Sequence, residues 1–385
     1  MDGGAGDWQH QRMTETPPRR DHGVPAAVPR VRLVDVAREA GLSKTTVSAA
    51  LNGTGRLSPA VRERAREVAR RLGYRPNPTA RLLRAGHARL IGYAVGEYPT
   101  GPGSYMDSPY FTQLTSAIAT TALRHGYALV LLPTGSSPDE WADLPLDAAI
   151  VADPLADDPL VEGFIAARIP LSSDRSVEGR SGTHWVDVDA EAAVREVLDH
   201  LRAQGARRIA VVAPDTPTSF YTAALDAYRR WCAEQGATPL VTLSTRPGNG
   251  PAVEAVERSL TTPDRPDALF MLTEANPPLV LDAARRLGLS VPADLLLVCA
   301  SEDTSAAHAD PPVTTLSLQP VSVAEKGVEL LVAALESGSL EPTGALVRTR
   351  LEIRTSSERG GEPAGGAALR RRGRQEAEYT SAPPT

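Results

Sequence analysis

From residue 90 onwards, short apolar runs alternate with longer amphipathic segments, and this alternation limits the possible folds more than any other feature of the chain. Six runs have the length of buried strands: Leu90–Val95, Ala128–Leu132, Ala148–Val151, Ile209–Ala213, Ala268–Leu272 and Leu295–Cys299. Segments with helical periodicity lie between them: Ser108–His125, Ala190–Gln204, Ser219–Gln235 and Pro278–Leu287. Such alternation indicates parallel sheets covered on both faces. The region is large for one doubly wound sheet, so we expect two α/β lobes with a cleft between them.

The segment 31–75 has a different pattern, which predicts three short helices. Gly41 would end the first helix, and Ser43 is a good N-cap for the second. Ser58 and Pro59 supply the N-cap and the first residue of the third. The apolar positions at helical spacing are Val34, Ala37, Ala40, Val47, Ala50, Leu51, Val61, Ala65, Val68, Ala69 and Leu72. This arrangement predicts a small all-α domain with a helix-turn-helix corner, although three-helix bundles that bind no DNA share the pattern.

Charge is distributed unevenly along the chain. The formal net charge is −6, yet residues 31–90 contain thirteen basic and only four acidic side chains. A basic module attached to an acidic body indicates a polyanion-binding domain joined to a second domain. The exposed face of the second helix would carry Lys44, Thr45, Ser48, Ala49 and Asn52. These short polar groups and one cation suit base edges and phosphates.

The two ends of the chain lack periodicity. Residues 1–30 predict a disordered N-terminal extension, in which Met13 is an alternative start, and residues 357–385 predict a disordered C-terminal tail. The N-terminus has no apolar segment typical of a secretory signal, and no stretch approaches 18 apolar residues. We therefore expect a cytoplasmic protein that does not contact a membrane.

The sequence offers no recognisable catalytic set. Cys232 and Cys299 are the only cysteines, too few for a disulfide framework or a zinc site. Nucleophile elbows, phosphate-binding loops, dinucleotide fingerprints and metal-spaced histidines are all missing from the sequence. We expect no enzyme activity, no cofactor and no metal.

Two stretches in the first quarter of the chain resemble the N-terminal module of the lac repressor/galactose repressor (LacI/GalR) family. They read LVDVAREAGLSKTTVSAALNG and RLSPAVRERAREVARRLGYRPNPTARLLR, and LIGYAV follows them. The resemblance implies a helix-turn-helix DNA-binding domain over 31–77 and a hinge helix and linker over 78–86. It also implies an effector-binding and dimerisation domain over 87–356, with the two-lobed, type I periplasmic-binding-protein-like fold.

The resemblance also assigns roles in DNA binding to residues of this sequence. Base contacts are implied for Lys44, Thr45, Ser48 and Ala49. Contacts that mostly involve phosphates are implied for Ser43, Thr46, Asn52, Arg56, Tyr74 and Asn77, and Arg32 and Leu33 would begin the first helix near the DNA. Ala80 and Leu83 would belong to the hinge helix, with Leu83 as an apolar wedge inserted into the minor groove. Ala49 departs from the Arg or His common in the family, so base readout should depend more on Lys44 and Thr45.

The resemblance to the family's effector domain covers residues 89–356, with cues such as SPYF at 108–111 and GARRIAVVAP at 205–214. The implied effector-contacting residues are Tyr110, Phe111, Asp174, Ala224, Thr273 and Glu302. Several differ from the family pattern: Ala224 replaces an Arg, Thr273 and Glu274 replace an Asn-Asp pair, and Glu302 replaces an Asp. Loss of the Arg fork disfavours an anionic or typical sugar ligand. The pocket would bind an unusual small molecule or none.

Together these features predict a dimeric repressor that binds a palindromic, double-stranded DNA operator and responds to a small-molecule effector. A homodimer is expected, with pairing into tetramers left open, because one head alone would contact too few phosphates and bases. A ligand-independent regulator or an activator of the same family is the alternative. The two-lobed body would also fit a solute-binding or transport protein, but the attached head and the missing signal segment disfavour that class.

Overall fold

A computed structural model of the protein describes residues 31–74, 87–96, 104–132, 141, 144–155, 157–176, 183–216, 218–245, 248–339 and 341–359. The chain divides into two units, Met1–Gly86 and His87–Thr385, which we call the head and the body. The predicted N-terminal extension and the predicted hinge lie outside the described residues, as do residues 360–385.

Three helices form the described part of the head: α1 (Leu33–Ala40), α2 (Lys44–Asn52) and α3 (Pro59–Leu72). Their shared core consists of Val36, Ala37, Ala40, Val47, Val68 and Ala69. Gly41 ends α1 in the left-handed conformation, with φ of 65°, which glycine adopts at little steric cost. Its backbone N–H donates to the carbonyl oxygens of Ala37 and Arg38, and the chain turns directly into α2.

Two six-stranded sheets form the body. The sheet of lobe 1 has the order β11-β5-β4-β3-β1-β2, and all its neighbouring strands are parallel. Its strands are β1 (Leu90–Val95), β2 (Ala128–Leu131), β3 (Ala148–Ala152), β4 (Leu171–Ser173), β5 (Thr183–Val188) and β11 (Gly344–Val347). The helices α4 (Pro109–Arg124), α5 (Pro159–Ala166) and α10 (Pro320–Ser337) pack against this sheet.

The sheet of lobe 2 has the order β12-β10-β9-β8-β6-β7, and β12 is its one antiparallel strand. Its strands are β6 (Ile209–Pro214), β7 (Leu240–Ser244), β8 (Ala268–Met271), β9 (Leu296–Ala300), β10 (Thr314–Ser317) and β12 (Arg350–Glu352). The helices of this lobe are α6 (Ala190–Ala203), α7 (Ser219–Glu234), α8 (Asn249–Leu260) and α9 (Pro277–Arg286). Val211 and Val212 are neighbours on β6, yet each is fully buried in a different apolar cluster. The sheet is therefore covered on both faces, which explains the continuous apolar strands.

The chain crosses between the lobes three times. β5 is followed by α6 in lobe 2, β10 by α10 in lobe 1, and β11 in lobe 1 by β12 in lobe 2. All six predicted strands form, with ends within one residue of the prediction. The predicted fold class, a helix-turn-helix head with a two-lobed body of mainly parallel sheets, is confirmed.

The body extends three residues past the predicted boundary at 356. Ser357 is fully buried, and its hydroxyl oxygen lies 2.7 Å from Nε2 of His200. The backbone N–H of Arg359 donates to Oε1 of Gln204 at 3.1 Å. These contacts with α6 hold residues 357–359 on lobe 2, although their polar sequence resembles a tail. In the described part of the chain, no helix is long and apolar enough to cross a bilayer, and no group of three metal-binding side chains occurs.

Candidate nucleic-acid interface and effector cleft

The start of α2 is fixed by Ser43. Its Oγ accepts the backbone N–H of Thr46 at 3.0 Å and lies 2.8 Å from the hydroxyl oxygen of Thr46. An N-cap of this kind satisfies a backbone donor that has no partner within the helix. Val47 and Ala50 are fully buried beneath the helix, so Lys44 and Thr45 are directed to solvent from its first turn.

The remaining predicted base-contacting residues are less accessible than the first turn. Ser48 and Ala49 are half-buried on α2, whereas Asn52 at its end is exposed. The side-chain amide of Asn52 donates to the backbone carbonyl oxygen of Ser48 at 2.7 Å. A phosphate contact through this amide nitrogen would compete with that hydrogen bond.

Arg62 holds the turn that follows α2, a role that the sequence analysis missed. From α3, its guanidinium donates to the carbonyl oxygens of Gly53 at 3.1 Å and Gly55 at 2.8 Å. Both glycines have positive φ, 73° and 75°, a conformation that other residues adopt only with strain. The planar fork of the guanidinium fits two neighbouring acceptors at once, so the end of α2 is tied to α3.

The other predicted DNA-contacting residues of the head occupy its edges. Arg32 is exposed, and its backbone N–H donates to the Asp35 carboxylate at 2.9 Å. Arg56 is exposed between α2 and α3, whereas Leu33 and Tyr74 pack half-buried against the head core. The remaining three, Asn77, Ala80 and Leu83, lie outside the described residues.

Some of the head's positive charge is already paired. Arg70 lies 2.8 Å from Glu63, and Arg71 lies 2.7 Å from Glu39, with all four side chains more than half exposed. Pairs this exposed add little stability, but they reduce the charge that these arginines present to a polyanion. Lys44, in the first turn of α2, is an exposed cation of the head.

In the body, a cavity of about 40 Å³ lies where the two lobes meet. Its lining residues are Tyr110, Phe111, Asp153, Arg175, Tyr221, Leu272, Glu274, Ala300, Ser301, Glu302 and Leu318. Most follow the carboxyl ends of parallel strands, which is where open α/β sheets bind ligands. This volume holds no more than a few water molecules. Ligand pockets usually reach about 300 Å³ or more, so the closed cavity is too small for a typical ligand.

A buried cation, Arg175, organises the lobe 1 side of the cavity. Its side chain is only 4% exposed and lies 3.6 Å from Asp153, 3.6 Å from Asp174 and 4.0 Å from Asp187. Its Nη1 also donates to the hydroxyl of Tyr110 at 3.1 Å. That hydroxyl in turn donates to Asp174 at 2.9 Å. The charged groups of this wall thus bind one another.

Lobe 2 contributes two glutamates that connect it to α4, Glu274 through its carboxylate and Glu302 through its backbone carbonyl. Glu274 accepts the backbone N–H of Tyr110 at 3.1 Å and the hydroxyl of Ser108. Glu302 accepts the N–H of Leu318 at 2.7 Å, and its backbone carbonyl accepts the side-chain amide of Gln113 at 3.1 Å. Because Ser108 and Gln113 belong to lobe 1, these bonds join the lobes across the cleft.

Burial changes the proton affinity of the cleft carboxylates. It raises the pKa of Asp153 to about 7, against the opposing attraction of Arg175. Burial also raises the pKa of Asp187, Glu274 and Glu302, while their hydrogen-bond donors lower it. Desolvation always favours the neutral carboxyl form. The cleft therefore contains more carboxylates than its single arginine can compensate.

The structure brings together part of the predicted effector set. Tyr110, Phe111 and Glu302 line the cavity, and Asp174 lies behind it, bonded to Tyr110. Ala224 is fully buried in the core on α7, and Thr273 is buried without lining the cavity. The Ala224 methyl group, enclosed by the core, cannot reach the cleft, whereas Thr273 lies between two lining residues, Leu272 and Glu274.

Three charged lining residues were absent from the predicted set: Asp153, Arg175 and Glu274. Asp153 follows β3 directly, Arg175 lies two residues beyond β4, and Glu274 lies shortly after β8. A charged residue just after a buried parallel strand was the available sequence signal. That signal could be read after β3 and β8, which were predicted as strands. It could not be read after β4, because β4 was not predicted.

Family models match both units. Residues 32–77 match "Bacterial regulatory proteins, lacI family", and residues 198–357 match "Periplasmic binding protein-like domain". The HTH-type transcriptional regulator AglR of Rhizobium meliloti (strain 1021) is 30% identical over 281 residues, 70% of this chain and 77% of AglR. The regulator RafR of Escherichia coli is 30% identical over 247 residues, 61% of this chain and 70% of RafR.

Solved structures show the same fold. A crystal structure of the lac repressor dimer bound to operator and the anti-inducer ONPF superposes with a TM-score of 0.71 and 20% identity. The match covers 86% of this chain and all of the other. This agreement shows the fold, and the two regulators of 30% identity confirm the predicted family. The chain belongs to the LacI family of bacterial DNA-binding transcriptional regulators.

Proposed function

We propose that this regulator is a repressor that reads a palindromic operator with α2 of two identical subunits. The observation that carries the proposal is the first turn of α2. Lys44 and Thr45 are exposed there, while Ser43 fixes the start of the helix. A capped, rigid helix with polar side chains in its first turn fits the major groove.

The remaining DNA contacts of the proposal come from the edges of the head. Ser43, Thr46, Asn52, Arg56 and Tyr74 would contact phosphates, and Arg32 and Leu33 would lie near the DNA at the start of α1. Ser48 and Ala49 would also contact bases, through short side chains further along α2. Asn77, Ala80 and Leu83 keep their proposed roles in the hinge, with residues 78–86 as the segment that orders on the operator.

A homodimer follows from the size of one head. A single three-helix unit neutralises few phosphates and reads few bases, whereas two related by two-fold symmetry double both and require an inverted repeat. The related lac repressor structure contains a dimer bound to operator. On this body, Leu123 and Leu131 are 65% and 50% exposed, which suits burial against a second copy.

The cleft is the proposed effector site. Tyr110, Phe111 and Glu302 line it, and Asp174 supports Tyr110 from behind. A ligand that separates or joins the lobes would alter the spacing of two heads in a dimer, and so bias ordering of the hinge. We place the protein in the cytoplasm with its DNA, acting by binding and not by catalysis.

A ligand-independent regulator is the second candidate, and a specific observation favours it. The cavity measures only about 40 Å³, and the surrounding carboxylates are bonded to groups of the protein itself. A cleft already closed by internal bonds could hold one conformation without an effector.

The decisive experiment is selection of random duplexes by the purified full-length chain, followed by sequencing. We expect an inverted repeat to be enriched. The variant Lys44→Ala/Thr45→Ala should lose that enrichment, while Arg207→Ala, an exposed charge change on the body, should retain it. Failure of the parent protein to enrich any sequence at moderate salt, with and without candidate ligands, would refute the proposal.

A further inference from the structure

The chain from the head enters lobe 1 at residues 87–90, and one carboxylate holds it there. Asp147 accepts the backbone N–H of Ala88 at 2.9 Å and that of Leu90 at 3.3 Å. It also accepts the N–H of Arg89 between them. The N–H of Asp147 donates back to the carbonyl oxygen of Leu90 at 2.9 Å, and its side chain is only 10% exposed. The start of β1 is thus fixed to the residue that precedes β3.

Arg89 has a backbone conformation that its neighbours must maintain. Its φ is 57°, in the left-handed region, where residues other than glycine are strained. Its guanidinium donates to the carbonyl oxygen of His125 at 3.4 Å, and the guanidinium carbon lies 5.2 Å from the centroid of the Tyr127 ring. Such strain persists only where the surrounding contacts fix it, and it is concentrated at functional sites. The chain therefore has one fixed conformation at the point where the segment from the head arrives.

Lobe 2 contains the same arrangement at the equivalent place. Asp267 directly precedes β8, as Asp147 precedes β3. The Asp267 carboxylate accepts the N–H of Arg207 at 3.0 Å and that of Arg208 at 2.9 Å, just before β6. Neither arginine has a positive φ. A carboxylate bonded to the start of the neighbouring strand is thus common to both sheets, but in lobe 1 it also holds the chain that comes from the head.

This attachment limits how far each head can reach. Each head is covalently joined to its body through the segment that ends at Asp147. Release of residues 87–89 would add about 10 Å of extended chain to each tether, and one base pair spans about 3.4 Å of duplex. Two heads released in this way would reach half-sites several base pairs further apart, because the reach of a tether decides which pairs of sites can be bound together.

We propose that Asp147 is a positioning residue that sets the spacing of the operator half-sites. It acts through residues 88–90, by fixing the point at which the segment from each head joins lobe 1. The inference rests on the proposed binding of an operator by a dimer, and it adds a residue outside the set that would contact DNA.

The test selects duplexes in which the two half-sites enriched by the parent are separated by spacers of different length. The full-length parent should enrich one spacer length. Asp147→Ala should also enrich spacers one and two base pairs longer or shorter, so its preference for the best spacer falls by about tenfold. Asp147→Asn keeps one acceptor oxygen and should lie between the two. It carries the test if the alanine variant fails to fold.

Asp267→Ala is the matched control, because it removes the corresponding carboxylate from lobe 2. Both alanine variants should lower the midpoint of urea unfolding to a similar extent, since both lose bonds between neighbouring strands. Hydrogen exchange should accelerate at residues 88–90 in Asp147→Ala and at residues 207–208 in Asp267→Ala. Only Asp147→Ala should change the spacer preference, which a purely structural role would leave as it is in the parent.

Two outcomes would overturn the inference and leave the proposed repressor function standing. One is a spacer preference in both Asp147 variants that equals that of the parent. The other is equal broadening in Asp267→Ala, which would assign the effect to lower stability of the body. If the parent enriches no inverted repeat, the proposed function falls, and the role of Asp147 in spacing falls with it.

Discussion

The guanidinium of Arg62 donates a hydrogen bond of 2.8 Å to the carbonyl oxygen of Gly55, and so ties α3 to the turn that follows α2. Arg62→Ala should lower operator affinity about tenfold, because two bonds to the turn are lost and the end of α2 is released. The operator affinity of Arg62→Lys should lie between those of the parent and of Arg62→Ala, because lysine lacks the planar fork. Fluorescence anisotropy with the selected operator measures both variants.

Arg66→Ala serves as the control for Arg62, since it removes the same charge from an exposed position of α3. Hydrogen exchange at residues 53–56 should accelerate in Arg62→Ala and remain unchanged in Arg66→Ala. Equal affinity losses in the two variants, with unchanged exchange in both, would show that Arg62 acts through charge alone.

Lys44 and Ser43 are adjacent, yet their substitutions should have different effects. Lys44→Ala should relax the preference at one base position of each half-site, by about 1–3 kcal/mol of discrimination. Ser43→Ala should weaken binding to all sequences alike, because it removes the N-cap at a cost of about 1 kcal/mol. Sequencing of duplexes selected by each variant distinguishes the two. If Lys44→Ala instead lowers the affinity for all sequences equally, Lys44 contacts a phosphate and not a base.

Glu274 of lobe 2 should stabilise the closed cleft through the start of α4. Glu274→Ala leaves the N–H of Tyr110 and the hydroxyl of Ser108 without this acceptor, so we expect the free energy of unfolding of the body to fall by about 2 kcal/mol. Urea unfolding followed by tryptophan fluorescence measures this. Glu254→Ala, an exposed change on α8, should have no comparable effect. If both variants unfold like the parent, the bonds across the cleft contribute nothing to stability.

Asp153 should make the stability of the protein depend on pH. Burial raises its pKa from the ordinary 3.8 to about 7, so the folded state retains a proton that the unfolded chain releases. The folded protein binds the extra proton between these two values, and its free energy of unfolding falls as the pH rises from about 4 to about 7. Asp153→Asn cannot titrate and should lack this part of the slope.

The measurement for Asp153 is urea unfolding of parent and variant across that pH range. The difference between the two curves should change by about 3 kcal/mol from the acidic to the neutral end. The histidines and the carboxylates distant from Asp153 are common to both proteins, so their titration largely cancels in the difference. Parallel curves would show that Asp153 is ionised throughout the range.

The sequence identified the strands that are continuous apolar runs and left out those with polar residues, although β4 and β5 are as buried as most of the predicted strands. β6 and β8 are continuous apolar runs because helices cover both sides of the sheet, and that pattern is readable without coordinates. β4 has three residues, Leu-Ser-Ser, and β5 includes Thr, His and Asp, so neither shows the pattern. β11 joins the sheet of lobe 1 after two crossings of the chain, which no local pattern indicates.

By itself, the sequence determined the three-helix head, the alternation of strands and helices in the body, and the exposed first turn of α2. These features depend on caps, helical spacing and runs of apolar residues, all set by neighbours in the chain. Only the tertiary structure decided that Arg62 holds Gly55 and that Glu274 closes the cleft onto α4. It alone placed Arg175 among three carboxylates and raised the pKa of Asp153. The charged groups of the cleft follow separate strands, so they are buried and paired only when the carboxyl ends of those strands meet in the folded body. The free energy of ionising each group depends on this burial and pairing.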